Sequence, residues 1–221
     1  MKSLHTLIAA IFIFTSCNSG KQPEKASEMA LKDPVQTQPV DGNKRAYFAS
    51  GCFWCVEAIF ESVNGVKEAV SGYSGGNEKN PTYKEVSYGR TGHAEAVEVF
   101  YDPEVVDFET LVRVFFGSQD PTTPNRQGPD RGKQYRSIAF YQNDEEKKII
   151  EDVIEELNQT TFDGEIVREV VPFQKFWEAE GYHQNYERLH PNEPYIRNVS
   201  IPRINRFKAK FPELLKKGAA H

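Results

Sequence analysis

Residues 45–65 read RAYFASGCFWCVEAIFESVNG, and this stretch decides the fold. Arg45 to Ala49 has the aromatic and small apolar residues of a short strand, and Ser50-Gly51 turns the chain. VEAIFESV, Val56 to Val63, then repeats apolar side chains at helical spacing until Asn64-Gly65 stops it. GCFWC therefore stands at a strand-to-helix junction, with Cys52 and Cys55 three positions apart around Phe53 and Trp54.

Outward from this unit, Val66 to Tyr73 alternates loosely enough for a second strand, and AEAVEVFY, Ala94 to Tyr101, alternates cleanly. Asp107 can cap FETLVRVFFGS, whose Phe108, Leu111, Val112, Phe115 and Phe116 share one helical face. A long polar loop, QDPTTPNRQGPDRGKQ, precedes a strand RSIAFY and a charged helix DEEKKIIEDVIEELNQ. From Arg45 to Tyr141 the order is strand, helix, two strands, helix, strand, which is the split β-α-β arrangement of ferredoxin-like sheets. The expected fold is α+β, a ferredoxin-like two-layer sandwich with an additional helix and a loop-rich C-terminal extension.

The chain of 221 residues is 38% hydrophobic and 27% charged, enough to bury one sizeable core. Its formal charge of −5, with cations scattered among acids, offers no basic stripe for nucleic acid. The first residues follow a different logic. Lys2, an apolar run from Leu7 to Phe14, and Thr15-Ser16 before Cys17 resemble a lipoprotein signal cut ahead of the cysteine. The run is too short to span a bilayer, which takes about 20 residues. The expected organisation is a signal peptide over 1–16, a disordered tether over 17–44 rich in Lys, Glu, Pro, Gln and Ser, and one domain over 45–221. The protein is then exported from a bacterial cytoplasm, held to the membrane through lipidated Cys17, and faces the periplasm or cell surface. With Cys17 lipidated, Cys52 and Cys55 are the domain's entire thiol chemistry.

Several chemistries compete for that pair. Zinc wants four ligands, but there is no second C-x-x-C and the five histidines are dispersed. Haem attachment needs a histidine after the second cysteine, where Val56 stands. Buried inert thiols are the plain alternative. A dithiol oxidoreductase of thioredoxin type has this motif in this place, yet Phe53 and Trp54 obstruct a protein partner's sulfur and better suit the wall for a small apolar group. Unpaired N–H groups and the dipole at the helix entrance favour a thiolate on Cys52, the better nucleophile, leaving Cys55 as the resolver.

Other groups carry chemistry beside plain structural readings. Glu95 shares the face of its strand with Val97 and Val99, so burial would raise its pKa and keep it protonated as a general acid; the alternative is a strand-end carboxylate in solvent. Tyr83, after Asn80-Pro81-Thr82, and Tyr135, at the end of the long loop, can hold a polarised oxygen or simply pack. Asp130, His183 and Tyr186 are weaker candidates, readable as a loop cap and a packed turn.

Taken together, GCFWC, GYSGG with NPTY, TGHAEAV, QGPDRGKQYRS and AEGYHQNYE, in this order, closely resemble the A-type peptide methionine sulfoxide reductases over about residues 45 to 196. The resemblance implies that Cys52 attacks the sulfoxide sulfur, that Glu95 protonates its oxygen, and that Tyr83 and Tyr135 hold that oxygen. It further implies that Phe53 and Trp54 wall the substrate methyl and that Asp130 supports the site. The family reduces the S epimer of methionine sulfoxide, free or in proteins, through a sulfenic acid. Many members have glycine where Cys55 stands and a resolving cysteine in a glycine-rich tail; here no cysteine follows Cys55. Cys55 is therefore expected to close a disulfide with Cys52, opened by a thioredoxin-like donor, or by dithiothreitol in vitro.

No phosphate loop, nucleotide fingerprint or metal spacing is present in the sequence, so no bound cofactor is expected. The reductant is external, and the protein is taken as a monomer. The alternatives are a thioredoxin-like dithiol–disulfide oxidoreductase and a lipid-anchored module that binds methionine-rich peptides.

Overall fold

The computed structural model describes residues 32–219. The expected signal peptide and the lipidation site Cys17 lie outside the described residues. The framing strands are β1 (Lys44–Ala49), β2 (Val66–Ser74), β3 (Ala94–Tyr101) and β6 (Ile138–Tyr141), crossed by helices α1 (Phe53–Glu61), α3 (Phe108–Gly117) and α4 (Asp144–Thr160). Between them lie a short helix α2 (Tyr83–Ser87) and a two-stranded ribbon of β4 (Arg126–Gln127) and β5 (Asp130–Arg131). Strands β7 (Glu169–Pro172) and β8 (Trp177–Glu178) complete a six-stranded sheet in the order β7-β6-β1-β3-β2-β8. Its centre, β6-β1-β3-β2, is antiparallel throughout, the ferredoxin-like arrangement expected from the sequence, and β7 extends it in parallel.

Alternation along the strands divides the interior. Ala46, Phe48, Val97, Val99, Ala69 and Tyr73 face a large core with Ile59, Phe60, Leu111, Phe115 and Ile154 of the helices. Tyr47, Ala49, Ala94, Ala96, Ile138 and Phe140 face the opposite way, where Phe173 stacks on Tyr47 at 3.7 Å between ring centroids. Glu95 has the parity of Val97 and Val99 and so points its carboxyl into the helix layer. The register places Tyr73 opposite Glu95 on β2, and continuing the β1–β3 pairing beyond Phe48↔Val97 brings the Ser50 turn beside it on the other flank.

Three local expectations change. α1 starts at Phe53, three residues ahead of the expected Val56, with Cys52 as its N-cap, so Cys55 occupies the first turn. The loop assigned to Tyr83 contains α2, nucleated by a capping box in which Thr82 accepts from the Glu85 N–H and the Glu85 carboxylate accepts from the Thr82 N–H. The long polar loop is ordered by the β4–β5 ribbon and a 3₁₀ turn, Lys133–Tyr135.

The chain ends with α5 (Tyr186–Leu189), a π-helical turn (Ile196–Ser200) and α6 (Ile201–Lys210). Lys216 N–H donates to Ser62 O and Asn64 N–H to Leu214 O, which ties the tail to the end of α1. Residues 32–43, assigned to the tether, run along the domain: Val35 N–H donates to Phe173 O and the Thr37 hydroxyl to Gln142 Oε1.

Candidate active site

The first turn of α1 gathers the site. Cys52 and Cys55 are both free thiols, 6% and 1% exposed, and each strongly shifts the ionisation of the other. Nothing caps α1 through a side chain at Cys52. Instead Phe53 N–H, one of the donors a helix start leaves unpaired, donates to Glu95 Oε2 at 3.1 Å. That bond brings the carboxyl next to Cys52.

Glu95 is 2% exposed, and burial pushes its carboxyl up to about 8, with Asp130 and Cys55 acting in the same direction against the Phe53 hydrogen bond. Glu95 is therefore a neutral acid at pH 7. Burial drives Cys52 well above its usual range, reinforced by its interaction with Cys55, by the charge of Asp130 and, once it ionises, by that of Glu95. Cys55 moves the other way, to about 7, through the hydrogen bond from Cys52, the Arg203 guanidinium and the Ser200 hydroxyl. Burial thus favours the proton on Cys52, and Arg203 and Ser200 favour the charge on Cys55, against the pull of the helix dipole on Cys52.

The aromatic wall is continuous. Phe53 packs on Tyr73, Tyr83 and His183, while Trp54 stacks on Tyr186 with centroids 4.0 Å apart. Trp54 Nε1–H donates to His183 Nδ1 at 3.2 Å, which fixes the proton of that imidazole on Nε2. The Tyr83 and Tyr135 hydroxyls lie within the electrostatic reach of Glu95 and Cys52, and burial raises both, Tyr83 to about 12. Both remain O–H donors. Asp130 is half-buried and accepts from the Tyr195 hydroxyl at 2.6 Å.

The family model for peptide methionine sulfoxide reductase matches residues 44–215. The chain belongs to the peptide methionine sulfoxide reductase family. It is 47% identical over 168 residues to a peptide methionine sulfoxide reductase MsrA of Sulfolobus acidocaldarius, covering 76% of this chain and 95% of that one. It is 47% identical over 182 residues to MsrA 1 of Rhodopirellula baltica, covering 82% and 93%. Among solved structures it is similar to the reduced form of Mxr1 from Saccharomyces cerevisiae, with a TM-score of 0.63 at 33% identity over 70% of this chain and 90% of that one. It is likewise similar to methionine sulfoxide reductase A of Corynebacterium diphtheriae, with a TM-score of 0.61 at 33% identity over 74% and 89%. The protein is an enzyme that reduces methionine sulfoxide.

The domain residues singled out from the sequence gather around the first turn of this reductase's α1 or lie within its electrostatic reach: Cys52, Phe53, Trp54, Cys55, Glu95, Tyr83, Tyr135 and Asp130, with His183 and Tyr186 packed on the aromatic wall. The sequence reading passed over three others. Arg203, nearly buried, donates from Nε to Ser118 O, from Nη1 to Ser50 O and from Nη2 to Ser50 Oγ, and so locks the turn before Cys52. Its signal was an arginine on the α6 face that also carries Phe207. Tyr195, edge-on to Trp54, carried no local signal. Glu57 is buried and accepts from Ser71 Oγ and the Asn185 N–H, which holds the segment bearing His183 and Tyr186 against Trp54. An acid inside the apolar run VEAIF was its trace. Among the described residues no group of three or more His, Cys, Asp or Glu could hold a metal ion.

Proposed function

We propose that this enzyme reduces the S epimer of methionine sulfoxide, free or in proteins, with Cys52 as nucleophile, Glu95 as proton donor and Cys55 as resolver. The observation that carries this reading is the buried Glu95 carboxyl held on the Phe53 N–H beside Cys52. A sulfoxide oxygen leaves only when protonated, so the reaction needs a neutral acid and a thiolate together. Cys52 gives its proton to Cys55 as its sulfur bonds to the sulfoxide sulfur, and the Glu95 proton passes to the oxygen. The bond from the methionine sulfur to the oxygen breaks as the hydroxyl moves to the Cys52 sulfur, and methionine departs with the electron pair of its bond to Cys52, leaving S–OH on Cys52. Cys55 then attacks that sulfur and hydroxide leaves as water. In sum, methionine sulfoxide and two thiols give methionine, a Cys52–Cys55 disulfide and water.

Tyr83 and Tyr135 hold the sulfoxide oxygen, Phe53 and Trp54 enclose the methyl group, and Asp130 supports the site through Tyr195. A thioredoxin-like dithiol reopens the disulfide. The enzyme works outside the cytoplasm as a lipoprotein anchored at Cys17, repairing oxidised exported proteins; Lys2, the Leu7 to Phe14 run and Thr15-Ser16 ahead of Cys17 support this.

Replacing Cys55 with serine tests the assignment. The expected result is one equivalent of methionine per chain, a sulfenic acid on Cys52 trapped by dimedone, and loss of thioredoxin-driven turnover. Unchanged multiple-turnover rates would remove Cys55 from the mechanism.

A further inference from the structure

A cavity of about 530 Å³ opens on the reverse side of the site. Cys55, Asp130 and Tyr195 line it, but Cys52, Phe53, Glu95, Tyr83 and Tyr135 do not. The Tyr195–Asp130 hydrogen bond thus stands between the cavity and the aromatic wall, with Tyr195 edge-on to Trp54 at 6.0 Å. The volume is that of a small-ligand site. The residues proposed to hold the sulfoxide, Cys52, Glu95, Tyr83 and Tyr135, do not line this space.

The charge around the cavity is predominantly positive. Arg126, Arg203, Arg206 and Lys210 line it, with Arg206 and Lys210 exposed at its rim. Among the described residues none of the four forms an ion pair with a carboxylate. Two acids also line it, Asp130, which accepts from Tyr195 and feels the Arg203 charge, and Asp120, which accepts from the N–H and hydroxyl of Thr122, so cations outnumber acids by two. The net field invites an anion toward the wall that Cys55 forms.

We propose that this cavity is the entry port for the reducing thiol and that it selects a thiol flanked by carboxylates. The proposal rests on the resolver role of Cys55. Thiol–disulfide exchange proceeds with the attacking sulfur, the attacked sulfur and the leaving sulfur in line. Cys55 lines the cavity and Cys52 does not, so a thiolate arriving through it reaches only the Cys55 sulfur; the new bond forms to Cys55 and the Cys52–Cys55 bond breaks with its electron pair on Cys52. Cys52 takes up a proton and is ready for substrate. A second thiol of the same reductant then attacks the reductant sulfur, the mixed disulfide breaks, and Cys55 leaves as a thiolate beside Arg203. One dithiol is oxidised to a disulfide and one enzyme disulfide is reduced. Arg203, which favours the thiolate of Cys55, makes it a competent leaving group. Oxidised substrate and reductant thus approach the same sulfur pair from opposite ends without exchanging places.

The full chain carrying Cys17→Ala, oxidised by methionine sulfoxide, provides the test. Mass spectrometry first verifies the Cys52–Cys55 disulfide. Its reduction is then timed with mercaptoacetate, 2-mercaptoethanol and cysteamine, with rates normalised to thiolate concentration. The expected order follows negative charge, mercaptoacetate exceeding cysteamine by about tenfold at low ionic strength. High salt and the double variant Arg206→Glu/Lys210→Glu should each collapse that ratio toward unity. A thioredoxin arm identifies the source of the anionic thiol: slowing of thioredoxin by the double variant extends the port to protein reductants, and slowing of small thiols alone restricts it to them. If the disulfide forms but its reduction ignores thiol charge and the variant, the port is wrong and the resolver stands. If no Cys52–Cys55 disulfide forms, the resolver reading fails first.

Discussion

The two sulfurs of α1 are one helical turn apart and live in opposite chemistry. Cys52 lies within the electrostatic reach of Glu95, Tyr83 and Tyr135, where burial favours the protonated forms, whereas Cys55 lies beside Arg203 and Ser200, which favour negative charge. A helix terminus is worth about 0.3–1 kcal/mol to a nearby anion, less than one pKa unit at about 1.4 kcal/mol. Burial beside carboxyls and a guanidinium one turn on outweigh it. The position of a cysteine in a helix therefore does not tell where the charge of a dithiol rests; the ionisable groups on either side of it do.

Removing the acid breaks this contrast most severely. Glu95→Gln keeps an acceptor for the Phe53 N–H but no acidic proton, and should slow single-turnover methionine formation by about a hundredfold or more in rapid-quench measurements. A variant within a few-fold of wild type would return Glu95 to a structural role. On the opposite side, Arg203→Met removes three hydrogen bonds to the Ser50 turn and the end of α3. Denaturant unfolding should show a loss of about 2 kcal/mol, since the carbonyls of Ser50 and Ser118 are left unpaired.

The pH profile sharpens the comparison without mutation. Below about 7 both thiols are protonated, and above about 8 Glu95 has lost the proton it must donate. The single-turnover rate should peak between these values and fall about tenfold per unit on either side. In Cys55→Ser the acid-side limb should move up, because Cys52 then ionises alone in its buried setting.

The smallest effect is on stability. The folded pKa of Glu95 lies above that of an unfolded glutamate, so the folded state holds a proton that the unfolded state releases as pH rises from about 4.5 to about 8. Stability falls across that window in wild type and not through this group in Glu95→Gln. The melting temperature of the variant should gain on wild type by a few degrees by pH 8.5. Equal melting curves at both ends of the window would show that Glu95 is not buried in solution.

Periodicity made the framework legible. The alternation in AEAVEVFY assigned Glu95 to the helix-facing side of β3, and the stripe in FETLVRVFFG assigned α3 its buried face. The apolar repeat that announces α1 becomes visible only at Val56, whereas packing of Phe53 on Tyr73 and of Trp54 on Tyr186 draws both aromatics into the first turn. α2 was written in Thr82-Tyr-Lys-Glu85, but a capping box ahead of only five helical residues lacks the apolar run that would announce it. Tyr195 and Arg203 lie beyond any window: their partners Asp130 and Ser50 are 65 and 153 positions away. Arg203 and Asp130 add to the balance between Cys52 and Cys55 from such distances, and that part could not be read from GCFWC.

The most direct test is a count. The protein is fully reduced, freed of reductant and mixed with excess methionine-S-sulfoxide; methionine is quantified and the thiols are mapped by mass spectrometry. The predicted result is one methionine per chain together with a Cys52–Cys55 disulfide. Absence of methionine, or methionine formed with Cys55 still a free thiol, would contradict the division of labour between the two sulfurs.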